Sequence, residues 1–263
     1  MREFEHHEPG MGTVFTFRGL TSLSEPAFAE ALLGATNTLH KADAIFSLYK
    51  EESPLSRLAK GETSVAECPA VVDQVWQLCE QWEKTTDGWF SAFTPQHTFD
   101  PSGLVKTWAA QYSANKLLEA GIFDFTLNAG GDILISEQQS REEFWRIGLS
   151  RPVSIASEES GVLTVLDLAG TKFRAVATSG SAERGEHIWN PKGSAIQKDV
   201  IQVSVVASDL VEADVWATAA FAEGIRSLER INALPNLEAL YVLANGEIAG
   251  TDGFLALLAK PTR

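Results

Sequence analysis

Asp214 and Thr218 are two oxygen-bearing side chains whose spacing could hold a metal ion. They lie four residues apart in the helical stretch 213–221, so both side chains emerge on one face of that helix. A carboxylate and a hydroxyl are hard oxygen donors, which suit Mg²⁺ or Ca²⁺ better than a soft metal. The alternative is that the pair belongs to a polar stripe on an exposed helix.

The stretch Asp100–Gly103, with the sequence Asp-Pro-Ser-Gly, lies just before a predicted helix that contains Lys106. These residue types are typical of turns, and the run from Leu104 to Ala120 predicts a helix that a glycine ends. Because backbone N–H groups and the helix dipole favour an anion at a helix N-terminus, this junction could hold a phosphate. A turn without a ligand is the alternative.

Three other features could belong to a site. His187, before an apolar pair and an Asn-Pro turn, is either structural or functional. The glycines Gly130-Gly131 lie between strand-like stretches, which indicates a bulge or a close approach to a neighbouring chain segment or a ligand. The aromatic stretch Trp89–Thr94 is typical of a core, with cofactor contact as the alternative. The chain has no nucleophile elbow, Walker loop, dinucleotide fingerprint or HExxH motif, so these residues alone indicate a site but no reaction.

Composition narrows the class of protein. The net charge of -14 over 263 residues argues against a broad nucleic-acid surface. No apolar run approaches the length of a membrane span, and the acidic segment Met1–Gly10 lacks the basic and apolar regions of a signal peptide. Cys68 and Cys79 match no zinc spacing, which predicts packing roles in a reducing cytoplasm. We therefore expect an unprocessed cytoplasmic protein that inserts into no membrane.

The apolar pattern predicts helices and strands in mixed order. Helices are predicted near 25–46, 72–86, 104–120, 210–221 and 225–233, and strands near 12–20, 123–127, 133–135, 145–149, 161–168, 173–178, 202–207, 240–243 and 247–249. Asp209 with Glu212 resembles a capping box, and Asn245-Gly246 predicts a tight hairpin turn. Because strands and helices do not alternate regularly, we predict an α+β fold with a largely antiparallel sheet, in one compact domain covering 1–263.

Taken in order, the motifs of the chain resemble the ApbE family of FAD:protein FMN transferases. The resemblance rests on Met11–Thr13, Ser47–Tyr49, Asp100–Lys106, Asn128–Asp132, Ala177–Gly180, His187-Ile188 and Ala213–Thr218. It implies a single T-fold-like ApbE domain with helices flanking antiparallel sheets. It also implies Mg²⁺-dependent transfer of the FMN half of FAD, the substrate, to a Thr or Ser hydroxyl of an acceptor flavoprotein, with release of AMP.

The resemblance implies a role for each site residue. The implied FAD-binding residues are Met11, Tyr49, Trp89, Phe90, Ser91, Asp100, Lys106 and Ile188. The implied Mg²⁺ ligands are the side chains of Asp214 and Thr218 and the backbone carbonyl of Gly103. His187 matches a family histidine implicated in catalysis, and either His187 or Asp100 could act as general base near the acceptor hydroxyl.

Some positions depart from the family pattern. Ser91 stands where many members have aspartate, Thr107 replaces the usual glycine, and Asn190 replaces an aspartate. Two other functions stay open: a Mg²⁺-dependent FAD pyrophosphatase that yields FMN and AMP, and a non-catalytic FAD-binding maturation protein. The intact Asp214, Thr218 and His187 argue against the non-catalytic alternative.

Overall fold

The computed structural model of the chain describes residues 1–152, 161–180, 190–193 and 197–260. Its strands are β1 (Arg2–Gly10), β2 (Thr13–Thr21), β3 (Asp124–Ala129), β4 (Asp132–Ile135), β5 (Arg146–Ser150), β6 (Val162–Asp167), β7 (Ala175–Gly180), β8 (Val200–Ala207), β9 (Glu238–Leu243) and β10 (Ile248–Gly250). Its α-helices are α1 (Glu25–Phe46), α2 (Pro54–Ala59), α3 (Ala70–Thr85), α4 (Ser102–Glu119), α5 (Leu210–Glu223) and α6 (Ser227–Asn232). Short 3₁₀ turns span Val65–Glu67, Glu142–Trp145 and Phe254–Leu257.

An eight-stranded sheet in the order β1-β2-β3-β4-β7-β8-β9-β10 forms the centre of the fold. All its paired strands run antiparallel, and β5 and β6 form a separate antiparallel ribbon. This confirms the predicted α+β fold with antiparallel sheets. Within the described ranges, no helix combines the length and apolar character needed to cross a membrane.

The sheet separates two apolar cores. Along β7, Ala175 and Ala177 belong to the main core, which lies against α1, α4 and α5. The intervening Val176 faces the opposite way, into a smaller core with Ile147 and Leu166 of the β5–β6 ribbon. Because successive strand residues point to opposite faces, one strand contributes to both layers. The functional candidates on α4 and α5 therefore lie on the helical face of the sheet.

The strand β1 and the short helix α2 are elements that the sequence analysis does not predict. β1 is an edge strand rich in His and Glu, with Phe4 as its buried apolar side chain, so it carries little apolar periodicity. The turn that joins it to β2 consists of Met11 and Gly12, with φ values of 50° and 72°. Two successive positive φ values are typical of a two-residue hairpin turn, which here sets the register Gly10 opposite Thr13.

Candidate functional site

The helix α4 begins inside the Asp-Pro-Ser-Gly stretch. It starts at Ser102, two residues before the predicted Leu104, so Gly103 lies in its first turn. Asp100 Oδ1 accepts a hydrogen bond of 3.0 Å from the backbone N–H of Ser102, satisfying one of the N–H groups that a helix start leaves unpaired. An anion bound at this helix start would therefore share it with a carboxylate of the chain itself.

The helix α5 carries Asp214 and Thr218 through the interior of the protein. Asp209 caps its start, and its carboxylate accepts the backbone N–H groups of Val211 at 2.9 Å and of Glu212 at 3.0 Å. All residues from Ala213 to Ala217 are buried, and Asp214 is 7% exposed. The alternative of a polar stripe on an exposed helix is therefore wrong. A carboxylate in such a position needs polar partners, because burying an unpaired charge is costly.

The partner of Asp214 comes from α4. The hydroxyl of Thr107, itself fully buried, donates to Asp214 Oδ2 at 2.7 Å. One helical turn earlier, a Cβ built on Gly103 would lie 4.0 Å from Cγ2 of Thr218. Residues four apart share a helix face, so one stripe of α4 faces one stripe of α5. We call Gly103, Thr107, Asp214 and Thr218 the helix-pair site; it brings together the three residues that the sequence suggests as metal ligands.

The strand β7 adds the hydroxyl of Ser179 to the helix-pair site. Ser179 Oγ lies 3.3 Å from Thr218 Oγ1, and Ser179 is 7% exposed. Its neighbour Thr178 exchanges a hydroxyl hydrogen bond of 2.8 Å with Ser204 of β8. Because Thr178 points to the opposite face of the sheet from Ser179, the hydroxyl that β7 presents to Thr218 is that of Ser179.

An ion pair between Lys106 and Asp132 borders the same site. Their side chains are 12% and 3% exposed, and Asp132 Oδ1 also accepts the backbone N–H of Thr178 at 3.1 Å. Asp132 therefore connects α4 to the start of β4 and to β7. Lys106, predicted to contact FAD, lies beside a carboxylate that offsets much of its charge.

The donor set of the helix-pair site fits Mg²⁺. Asp214 offers a carboxylate, Thr218 a hydroxyl and Gly103 a backbone carbonyl, and all three are hard oxygen donors. No cluster of three or more His, Cys, Asp and Glu side chains able to hold a metal ion occurs in the described part of the chain. A set with one carboxylate would leave a bound dication with net positive charge, which suits an anionic ligand.

The predicted flavin residues Met11 and Tyr49 lie in loops that meet at Asp43 of α1. The backbone N–H of Met11 donates to Asp43 Oδ1 at 3.1 Å, and the other oxygen of Asp43 pairs with Lys50. Tyr49, next to Lys50 in the chain, is 98% exposed. Asp43 thus ties the hairpin turn to the Ser47–Lys50 loop while leaving the ring of Tyr49 at the surface.

The aromatic stretch contains both core and surface residues. Phe90 is 2% exposed and packs beneath the start of α4, where a Cβ on Gly103 would be 3.5 Å from its ring. Trp89 is half-buried, and the ammonium of Lys192 lies 4.7 Å from its ring centroid. Lys192 also donates to Asp87 at 3.1 Å, and this hydrogen bond lowers the pKa of the Asp87 carboxyl below its usual range. Ser91, also half-buried, accepts the backbone N–H of Phe93 at 3.1 Å.

The remaining residues singled out from the sequence are His187, Ile188 and the glycine pair Gly130-Gly131. His187 and Ile188 lie outside the described residues, so their predicted roles stay predictions. Gly130 has a φ of 66°, and a Cβ on it would come within 2.2 Å of Thr13 Oγ1. What approaches Gly130 closely is therefore the neighbouring strand β2. Gly131, the next residue, has a φ of 105°.

No role is predicted from the sequence for Thr107, Ser179, Asp132 and Asp43. Thr107 entered only as a departure from the family pattern, although its spacing of four from Gly103 repeats that of Asp214 and Thr218. That repeated spacing is a signal that two helix stripes could face each other. Ser179 and Asp132 lie within quoted motifs, but Asp43 has no signal beyond its place near the end of an amphipathic helix.

Comparisons with known proteins identify a family for the chain. The sequence model of the ApbE family matches residues 90–241, which contain both helices of the helix-pair site. The FAD:protein FMN transferase of Salmonella typhimurium is 24% identical over 162 residues, covering 58% of this chain and 45% of that protein. The chain spans about half the length of the curated relatives it matches.

Solved structures of this family share the fold over nearly the whole chain. The ApbE protein of Thermotoga maritima matches with a TM-score of 0.79 at 19% identity, covering 98% of this chain and 100% of that one. The flavinyl transferase ApbE of Pseudomonas stutzeri matches with a TM-score of 0.79 at 18% identity, covering 99% and 98%. Since the family model also matches more than half of the sequence, the chain belongs to the ApbE family.

Proposed function

We propose that this chain transfers the FMN half of FAD to a threonine or serine hydroxyl of an acceptor flavoprotein and releases AMP, with Mg²⁺ as cofactor. Family membership and the activity named for the Salmonella typhimurium relative support the proposal. The observation that carries it is the helix-pair site, where Gly103, Asp214 and Thr218 come together from α4 and α5.

The proposed reaction is a phosphoryl transfer. The acceptor oxygen forms a bond to the phosphorus of the FMN phosphate, and the bond from that phosphorus to the bridging oxygen breaks. The bridging oxygen leaves with AMP, and the acceptor proton passes to a general base, for which Asp100 and His187 are the candidates. Because the acceptor supplies the attacking hydroxyl, the chain needs no nucleophile of its own.

Different residues of the chain would bind the cation and the phosphates. Asp214, Thr218 and the Gly103 carbonyl would hold Mg²⁺, which when bound neutralises charge on the pyrophosphate oxygens. Such local positive charge matters because the chain as a whole carries a net charge of -14, which repels an anionic dinucleotide. Lys106, fixed by Asp132, would orient the phosphates.

The flavin ring would bind at the loop surface near the helix-pair site. Its predicted contacts are Met11 and Tyr49, with Trp89, Phe90 and Ser91 beside them. Asp100, Lys106 and Ile188 are the other residues predicted to contact FAD. The exposed ring of Tyr49 and the half-buried Trp89 suit a planar aromatic ligand, because aromatic rings stack favourably. A cytoplasmic location is part of the proposal and agrees with the free thiols of Cys68 and Cys79.

A transfer assay tests the proposal. The purified chain would be incubated with FAD, MgCl₂ and flavoproteins that carry a Ser/Thr flavinylation motif. Intact-mass spectrometry should show one FMN added to an acceptor, chromatography should show equimolar AMP, and EDTA should stop both. Free FMN and AMP without a modified acceptor would replace the proposal with FAD hydrolysis. FAD binding without AMP release would leave only a non-catalytic role.

A further inference from the structure

Thr107 joins α4 to α5 through a hydrogen bond between two buried side chains. Its hydroxyl donates to Asp214 Oδ2 at 2.7 Å, with Thr107 fully buried and Asp214 at 7% exposure. The two residues are 107 positions apart in the sequence, so the contact depends on helix packing and not on local structure. The family resemblance assigns no role to this hydroxyl.

The hydroxyl of Thr107 has two acceptors within reach and one proton to donate. The second acceptor is the backbone carbonyl of Leu104, at 3.0 Å. The bond to Asp214 is the shorter of the two, and a hydrogen bond to an ionised carboxylate is stronger than one to a neutral carbonyl. The Thr107 hydroxyl therefore directs its proton to Asp214 Oδ2. The Leu104 carbonyl is an alternative acceptor if that carboxylate is removed.

A donor on one carboxylate oxygen restricts how the carboxylate can turn. The side chain of Asp214 has two rotatable bonds, and anchoring Oδ2 fixes the direction of the whole group. Partners that hydrogen-bond a ligating side chain from behind set its orientation, and losing them typically weakens metal binding 10- to 100-fold.

We propose that Thr107 is a positioning residue that orients the carboxylate of Asp214 for a divalent cation. The proposal rests on the metal site of the proposed function and adds a residue to it. Thr107 itself touches neither FAD nor the reacting atoms; it acts through Asp214.

The test compares Thr107→Val, which keeps the shape and removes the donor, with Thr107→Ser, which keeps the donor. Mn²⁺ is the probe, titrated into the full chain without FAD and followed by electron paramagnetic resonance. Thr107→Val should weaken Mn²⁺ binding about tenfold, and Thr107→Ser should bind within about twofold of the unmodified chain. Melting temperatures measured without metal separate a packing defect from a binding defect.

The outcomes separate this inference from the proposed function. A lower melting temperature for Thr107→Val with unchanged Mn²⁺ affinity would make Thr107 merely structural and overturn the inference. The same result in a chain that still transfers FMN would leave the proposed function intact. Conversely, a Thr107→Val defect in Mn²⁺ binding that Thr107→Ser lacks would support the inference even in a chain that transfers no FMN. Absence of Mn²⁺ binding by the unmodified chain would also overturn it.

Discussion

The helix-pair site and the loops that carry the predicted flavin contacts Met11, Tyr49 and Trp89 are built in opposite ways. Asp214 is 7% exposed and held across a helix interface, whereas Tyr49 is 98% exposed on a loop. Metal ligation needs donors fixed to within a fraction of an ångström, which packed helices provide. Ring stacking tolerates small displacements, so loops suffice for it. Under the proposed function, the first region would fix the phosphates and the second would adapt to the flavin.

The largest effect should come from the buried region. Asp214→Ala should lower FMN transfer at least about a hundredfold, because it removes the charged ligand of the proposed cation. The fold should survive, since the Thr107 hydroxyl can turn to the Leu104 carbonyl that lies 3.0 Å away. Transfer rates at saturating MgCl₂, with melting curves on the same samples, measure both effects.

Asp214→Asn is the matched control for that substitution. It keeps the size of the side chain and an oxygen that can accept from Thr107, but it loses the charge. If it transfers FMN as fast as the unmodified chain, the carboxylate is not a metal ligand and the contrast between the two regions disappears.

The glycines of two hairpin turns test whether packing or backbone conformation requires glycine near Met11 and Thr13. Gly130→Ala should destabilise the protein by about 2–4 kcal/mol, because it combines a positive φ with a Cβ 2.2 Å from Thr13 Oγ1. Gly12→Ala has a similar φ of 72° but meets nothing within 4 Å, so it should cost about 1 kcal/mol. Urea unfolding of both variants gives the comparison.

A second substitution at Thr13 identifies the source of the cost. Adding Thr13→Ala to Gly130→Ala removes the oxygen that the new Cβ would strike and should restore part of the lost stability. If Gly130→Ala and Gly12→Ala lower the free energy of unfolding equally, and Thr13→Ala restores none of it, backbone conformation alone requires glycine at both positions.

The sequence predicted the elements on which this contrast depends more successfully than their surroundings. The capping box at the start of α5 and the glycine after α4 placed both helices, because such signals are local. Burial of α5 was not predicted, since Asp214 and Thr218 on a helix are equally typical of a solvent-exposed face. The strand β1 was missed because an edge strand carries few apolar side chains.

The residues of the candidate site also differ in whether the sequence could predict them. Spacing within one helix could nominate Asp214 with Thr218, and the family resemblance could add Gly103. The bond from Thr107 to Asp214 could not be derived, because it depends on how two helices distant in sequence pack against each other. Asp43, which holds the Met11 turn through its backbone, gave no signal for the same reason.

A substitution at Tyr49 tests the exposed loop. Tyr49→Ala should raise the KM for FAD about fivefold, the effect of losing one aromatic stacking contact worth about 1 kcal/mol. It should leave the Mg²⁺ dependence unchanged and alter stability by less than about 0.5 kcal/mol, because a side chain that is 98% exposed packs against almost nothing. Steady-state kinetics and melting curves measure these quantities, with Tyr49→Phe as the control that keeps the ring. An unchanged KM in Tyr49→Ala would remove Tyr49 from the flavin surface.

The smallest effect is expected at Gly103, which lies between Phe90 of the aromatic stretch and Thr218 of α5. Gly103→Ala places a Cβ at ordinary contact distances, 3.5 Å from the ring of Phe90 and 4.0 Å from Cγ2 of Thr218. Since Gly103 lies in a helix, this change should stabilise the protein by about 0.5 kcal/mol, measured by urea unfolding. If the cation is held by the backbone carbonyl, the MgCl₂ concentration for half-maximal transfer should change less than about twofold, because that carbonyl is retained. If Gly103→Ala is stable but needs far more MgCl₂, the space beside the Cα of Gly103 is required for ligand binding. The ligand would then occupy part of the gap between α4 and α5 as well as the loops.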